Sequence, residues 1–188
     1  MTTLLLLFAL VSWDQYLGGA DSPQYSSLKQ ITKANVKQLQ VAWTYQTGGN
    51  SLLFDPLVVD GTMYIAKPGT QGTSAIVALD ATTGKELWTH TNQGGVSSRG
   101  MNYWESKDRK DRRLVYINSG FITEISTLTG ETIQSFGDNG RVDPSLGDRH
   151  VTRPANNPGR ITKTRSSFRC RRAGQATTPR PVTFMPTT

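Results

Sequence analysis

Ala78-Leu79-Asp80-Ala81-Thr82-Thr83-Gly84-Lys85-Glu86-Leu87-Trp88 is the stretch on which the fold turns. An apolar run ends at an Asp, a Thr-Thr-Gly turn follows, and a second short run ends at Trp88. Gly84 takes the left-handed turn position that a side chain opposes. Asp80 is placed to cap turn amides. Trp88 carries a ring large enough to fill the wedge between splayed sheets. All three roles are structural and none is catalytic.

The pattern recurs without gaps at Glu124-Ile125-Ser126-Thr127-Leu128-Thr129-Gly130-Glu131-Thr132-Ile133, an offset of 124 − 78 = 46 residues. Around the first copy, Val41–Tyr45 alternates and reads as a strand ending at Thr47-Gly48-Gly49. Pro56–Val59, Asp60-Gly61 and Thr62–Ile65 read as a hairpin, Asp-Gly being the dipeptide of a two-residue turn with positive φ. Ala75–Leu79 and Glu86–His90 add two strands, and Arg113–Ile117 matches Thr62–Ile65 in the second copy. Within Ser27–Leu39 the helical spacing breaks between Ile31 and Val36, leaving one or two turns around Val36–Leu39. The fold class expected is all-β: about four antiparallel strands per repeat of 46 residues, the size and period of a β-propeller blade.

Composition agrees, with 36% apolar residues and 18 Gly and 9 Pro, a mixture suited to short strands and many turns. The net charge of +7 is unevenly spread. Residues 1–150 hold 13 Lys/Arg against 14 Asp/Glu, hence 13 − 14 = −1, and residues 151–188 hold the other 8 Lys/Arg with no acid. The basic character is therefore the tail's, and a nucleic-acid partner is not expected. Cys170 is the single cysteine, so no disulfide forms within the chain. Leu4–Val11 resembles the apolar core of a secretory signal, without a basic n-region or an Ala-x-Ala site, and it is too short to span a bilayer. Residues 1–12 are read as a degenerate signal-like segment, with no integral membrane span expected in this chain.

Several stretches match one family in order. Trp13-Asp14-Gln15-Tyr16-Leu17-Gly18-Gly19 with Tyr25–Ile31, then Asn35–Trp43, Ala78–Trp88, Arg99-Gly100-Met101-Asn102-Tyr103-Trp104 and Phe136–Asp143 resemble the pyrroloquinoline quinone (PQQ) dependent dehydrogenases, closest to the glucose dehydrogenase-like quinoproteins. The match covers roughly residues 13–161. It implies a partial β-propeller of two to three blades from an eight-bladed ring with tryptophan docking motifs. It also implies oxidation of a sugar or alcohol, PQQ and Ca²⁺ as cofactors, a quinone or cytochrome electron acceptor, and a periplasmic location.

In that family the Arg of the R-G-x-x-Y-W segment contacts PQQ, so Arg99 is the one cofactor-binding residue carried over. A guanidinium suits the cofactor's carboxylates or quinone oxygens through charge-assisted bonds. Set against this is an Arg in an ordinary turn, between Ser97-Ser98 and Gly100. Two departures stand out. Gly95-Val96-Ser97-Ser98 lacks the adjacent cysteines of many alcohol-oxidising members, which points away from the methanol dehydrogenase branch. Ser51–Asp55 lacks the Glu that some relatives place before the first hairpin. The catalytic residue and the metal ligands are not located in this sequence. The charge run Trp104–Arg113 is read as a solvated hairpin loop between Trp104 and Leu114, and His90 and His150 have no metal-ligand or triad spacing.

After Ile161 the family pattern stops. Residues 162–188 are rich in Arg, Pro and Thr and are read as a disordered, out-of-frame tail. A one-base deletion near codon 162 accounts together for the lost acids, the surplus Arg, Cys170 and the stop. Read one base out of register, the codons of Pro181–Thr188 can spell another strand followed by Asp. The chain is thus expected to be an N-terminal portion of a quinoprotein dehydrogenase that lacks most of the active site. The rival reading is a non-enzymatic propeller of the same repeats acting as a scaffold in the cell envelope.

Overall fold

The computed structural model describes residues 12–19, 21–48, 52–144, 159–162, 165–168 and 182–184. The apolar run Leu4–Val11, His150 and Cys170 lie outside them. The first sheet holds β1 (Leu57–Val59), β2 (Thr62–Pro68), β3 (Ser74–Asp80) and β4 (Glu86–Asn92), antiparallel and in that order. The second repeats the plan with β5 (Val96–Glu105), β6 (Arg112–Asn118), β7 (Phe121–Ser126) and β8 (Arg141–Val142). β9 (Arg160–Thr162), β10 (Arg165–Phe168) and β11 (Val182–Phe184) form a three-stranded sheet in the order β11-β10-β9. β9 runs across the boundary expected after residue 161, and two tail segments expected to be disordered are paired. Ladder bonds use only backbone N–H and C=O, so an Arg- and Thr-rich segment can make them whatever its side chains.

Each strand appears where local chemistry directs it. At the β1–β2 turn Asp60 and Gly61 have φ of +50° and +78°, two left-handed residues, as the twist of a tight hairpin demands. Asp80 Oδ1 accepts from the amides of Thr82 and Thr83 at 3.0 and 2.8 Å, the turn capping expected of it. These bonds to its ionised form, the Thr83 hydroxyl first, hold its carboxyl below the usual range. The stretch around Val36 forms one 3₁₀ turn, Val36–Gln38.

β3 is buried at every position except its last, because both of its faces are covered. Ile76 and Ala78 face the space between the sheets, where Tyr64 and Ala66 meet Met101, Tyr103, Leu114, Tyr116 and Ile125 of the second sheet. The alternate residues Ala75, Val77 and Leu79 face the other way, under Trp43 and Tyr45. The side-chain period of two puts one continuous apolar run into two cores.

Trp88 joins the sheets. Its ring lies 5.9 Å from that of Tyr64, and its Nε1–H donates to the carbonyl of Thr127 at 3.0 Å. Trp43 does the same one repeat earlier, donating to the carbonyl of Ala81 at 3.1 Å. The acceptors are 127 − 81 = 46 residues apart, the repeat offset. Gly84 and Gly130 thus answer two demands at once. Each has positive φ, and a Cβ there would sit 2.5 Å from the Trp43 ring or 2.6 Å from the Trp88 ring. The motif describes a contact between a tryptophan and the turn of the next sheet.

One expected strand is not a strand. Val41–Tyr45 joins no ladder among the described residues, and Val41 is 83% exposed. Side chains hold this segment instead: Trp43 docks on the turn, and the Tyr45 hydroxyl lies between Lys67 Nζ at 2.9 Å and Glu86 Oε2 at 2.8 Å. Its side chains pack on the face of the first sheet formed by Ile65, Ala75, Val77 and Leu79, and a sheet face offers no backbone partners.

The charged hairpin after Trp104 is more than a solvated loop. Arg109 pairs with Glu105 at 3.0 Å and with Asp60 of the first sheet, and Arg112 reaches Asp60 at 3.5 Å. These pairs are partly exposed and contribute little each; their effect is to set how the two hairpin ends meet. Deeper in, Arg113 Nη1 binds the buried carboxylate of Glu124 at 2.7 Å while its Nε binds Asp111 at 2.8 Å.

His90, on β4, faces the turn of the second sheet. Burial lowers its pKa, partly offset by bonds with the Gly130 backbone and Asn92. The neutral ring is therefore favoured in the fold. Its share of stability is complete above the unfolded pKa of about 6.5 and is lost as pH falls toward the folded value. Urea unfolding at pH 7.5 and pH 5.5 measures this: His90→Gln is expected to flatten that part of the profile, and an unchanged slope would exclude the role.

Candidate cofactor-contact site

Arg99 lies in a break in the ladder of the second sheet. Val96 pairs with Asn118 and the next register pair is Met101 with Tyr116, so the four residues 97–100 oppose only Ile117. The chain between Ser97 and Gly100 bulges out of the strand, and bulges re-aim side chains in this way. Arg99 is exposed, and its amide donates to Ser97 Oγ at 3.2 Å. The bulge thus leaves Arg99 exposed and outside the regular ladder.

Both ends of the bulge are tied down. At its start the Ser74 hydroxyl donates to the carbonyl of Gly94 at 2.9 Å and accepts from the amide of Val96 at 3.1 Å. Ser74 belongs to β3, so the first sheet holds the entry of the bulge in the second. At its end Gly100 is buried with φ +96°, and a Cβ there would lie 2.4 Å from the Tyr16 ring.

Tyr16 comes from the segment 13–19, which straps the two sheets together. Trp13 exchanges both backbone bonds with Val58 of β1, at 2.7 and 3.0 Å. The carbonyl of Asp14 accepts from the amide of Tyr103 at 2.9 Å, and Gln15 bridges Asn102, both on β5. The strap turns back at Gly18, whose φ is +85° and whose missing Cβ makes room for the Trp13 ring. Asn102 is fully buried; its Nδ2 donates to the carbonyl of Gly159 at 3.2 Å, and its Oδ1 and Gln15 Oε1 have no donor among the described residues. Such oxygens call for an ordered water.

The sequence picked out Arg99, the W-x-x-Y opening and Gly100 separately. It did not show that Tyr16 lies on Gly100, nor that Ser74 holds the entry. The one local signal was a Gly inside a strand, which often marks a bulge or a close approach. Among the described residues no group of three or more His, Cys, Asp or Glu converges, and no helix is long and apolar enough to cross a membrane. An exposed guanidinium such as that of Arg99 has the charge and donors to suit an anionic cofactor group.

Two matching four-stranded sheets, joined by a tryptophan on the neighbour's turn, define a partial β-propeller. Residues 13–168 match the family described as PQQ, the glucose/ethanol/alcohol dehydrogenase β-propeller domain. The chain belongs to that family. It is similar to lupanine 17-hydroxylase [cytochrome c] of Pseudomonas sp, with 40% identity over 81 residues, 43% of this chain and 11% of that protein. Methanol dehydrogenase [cytochrome c] subunit 1 of Methylorubrum extorquens is 36% identical over 126 residues, 60% of this chain and 20% of that one. Quinoprotein glucose dehydrogenase A of Acinetobacter calcoaceticus is 27% identical over 164 residues, 70% of this chain and 20% of that one. The chain spans a fifth or less of the length of these relatives. Glucose- and methanol-oxidising relatives both match, so identity alone does not select between the branches expected from the Gly95–Ser98 segment.

Proposed function

We propose that this chain supplies the first two blades of a periplasmic quinoprotein that oxidises the C–OH of a sugar or alcohol. In the whole enzyme PQQ supplies the hydride-accepting chemistry, and a quinone or a cytochrome takes the electrons. The part assigned to this chain is binding. Arg99 offers charge-assisted hydrogen bonds to a carboxylate or quinone oxygen, and the sheets behind it keep the guanidinium aimed. The observation that carries the reading is the exposed Arg99 on a bulge within the matched family domain. The matched family domain, described as that of glucose, ethanol and alcohol dehydrogenases, favours the enzyme reading over a scaffold propeller. The out-of-frame origin of the tail after residue 161 rests on its charge pattern, and the downstream DNA read in all three frames tests it.

With one contact on these blades, the 188-residue chain is expected to bind PQQ weakly and to show no turnover. Equilibrium dialysis against PQQ checks the contact: Arg99→Ala is expected to weaken binding about tenfold, the loss of one charge-assisted bond. Equal binding by the two proteins removes Arg99 from the site. Dye reduction by the purified chain with PQQ, Ca²⁺ and a sugar or alcohol would overturn the expectation of no turnover.

A further inference from the structure

Gly100 is the hinge between the bulge and the regular strand, and its conformation is available to few residues other than glycine. A φ of +96° lies where a side chain costs energy. Strain alone does not decide which way the bulge turns, because a glycine has many other conformations open to it. Something has to select this one. The three heavy atoms nearest the position a Gly100 Cβ would take all belong to Tyr16, its Cδ2 and Cγ at 2.4 Å and its Cβ at 2.8 Å. The ring fills the space over the glycine and closes off conformations that would move the backbone toward it.

Tyr16 is itself fixed from both sides. Trp13, three residues before it, is hydrogen-bonded to β1, and Gln15, next to it, is bridged to β5. Tyr16 also packs into the core between the sheets. A ring held by both sheets therefore presses on the residue next to Arg99. We propose that Tyr16 is a positioning residue for Arg99: the strap of residues 13–19 locks the bulge through the Tyr16–Gly100 contact and so sets where the guanidinium points. This rests on the cofactor reading only in what Arg99 is aimed at; the locking of the bulge stands apart from it.

The test separates the two. Hydrogen–deuterium exchange of the peptide spanning residues 96–102 is compared in the full chain, in Tyr16→Leu and in Tyr16→Phe, alongside the urea unfolding midpoint of each. The Leu variant keeps apolar bulk and loses the flat ring. It is expected to speed exchange across residues 97–100 about tenfold while the core strands β3 and β6 keep their protection. Tyr16→Phe is expected to restore wild-type exchange. Unchanged exchange in Tyr16→Leu overturns the inference, and so does a loss of protection spread evenly over all strands, which marks a merely structural residue. Should Tyr16→Leu fail to fold, Gly100→Ala serves instead, since its Cβ must displace the ring; exchange that stays slow at residues 97–100 in that variant also overturns it. PQQ dialysis on the same proteins reads the other half. Faster exchange with PQQ binding that does not depend on Arg99 leaves the lock standing and removes the cofactor reading.

Discussion

Replacing Trp88 by alanine is expected to destabilise the protein by about 3 kcal/mol, the lower end for removing a large ring from a core. The lower end applies because Trp88 is only partly buried. Three losses combine: the ring contact with Tyr64, the bond to the Thr127 carbonyl, and the surface laid over Gly130. Urea unfolding monitored by circular dichroism measures it. Trp88→Phe keeps a six-membered ring but loses the Nε1–H donor and part of the indole surface, so its cost should be smaller, about 2 kcal/mol. Trp43→Ala should cost less than Trp88→Ala, because Trp43 covers an outer face rather than the seam between two sheets. If Trp88→Ala and Trp43→Ala prove equal, the sheets are not held together through Trp88.

Arg113→Ala is the second large effect, for a different reason. Glu124 is 5% exposed. Burial raises its pKa, and Arg113 is what opposes that rise. Removing the guanidinium leaves a buried carboxylate without its partner, which costs about 3 kcal/mol at neutral pH. The cost should depend on pH in a definite direction. A carboxyl raised above its unfolded pKa favours the protonated form in the fold. Its stability is therefore present below the unfolded value and lost as pH rises through the folded one. Unfolding of Arg113→Ala at pH 5 and pH 8 should show the larger deficit at pH 8. Adding Glu124→Gln to Arg113→Ala should recover part of the loss and remove its pH dependence, and a double-mutant cycle measures the coupling. A deficit that is the same at both pH values would mean that the pair is not what stabilises this corner.

How much of this was legible in the sequence depends on the range over which each residue acts. Asp80, Thr83 and Gly84 act within one turn, and their roles as cap and left-handed residue were readable from spacing. Val41–Tyr45 has the alternation of a strand and pairs with none, because alternation reports which side chains are buried and says nothing of whether a neighbouring edge exists. The charge run after Trp104 reads as solvated when taken alone. Asp60, 109 − 60 = 49 residues before Arg109, makes it an inter-sheet contact.

The candidate site divides in the same way. Arg99 was visible through the R-G-x-x-Y-W segment, since a motif preserves residue types and their order. The bulge that exposes Arg99, the Ser74 anchor at one end and the Tyr16 ring at the other were not visible. They join residues 16, 74 and 100, which only folding brings together.

Ala78–Trp88 and its copy 46 residues later by themselves determined that this chain builds repeated antiparallel sheets around a shared turn, with Trp88 closing the first copy. Turn chemistry and side-chain period are local, so a sequence can carry them whole. Only the tertiary structure decided what Trp88 touches, why Gly84 and Gly130 must lack a side chain, and how Arg99 comes to be held out of its strand. Each of these is a contact between chain segments far apart in sequence, and its geometry exists only once the sheets have packed.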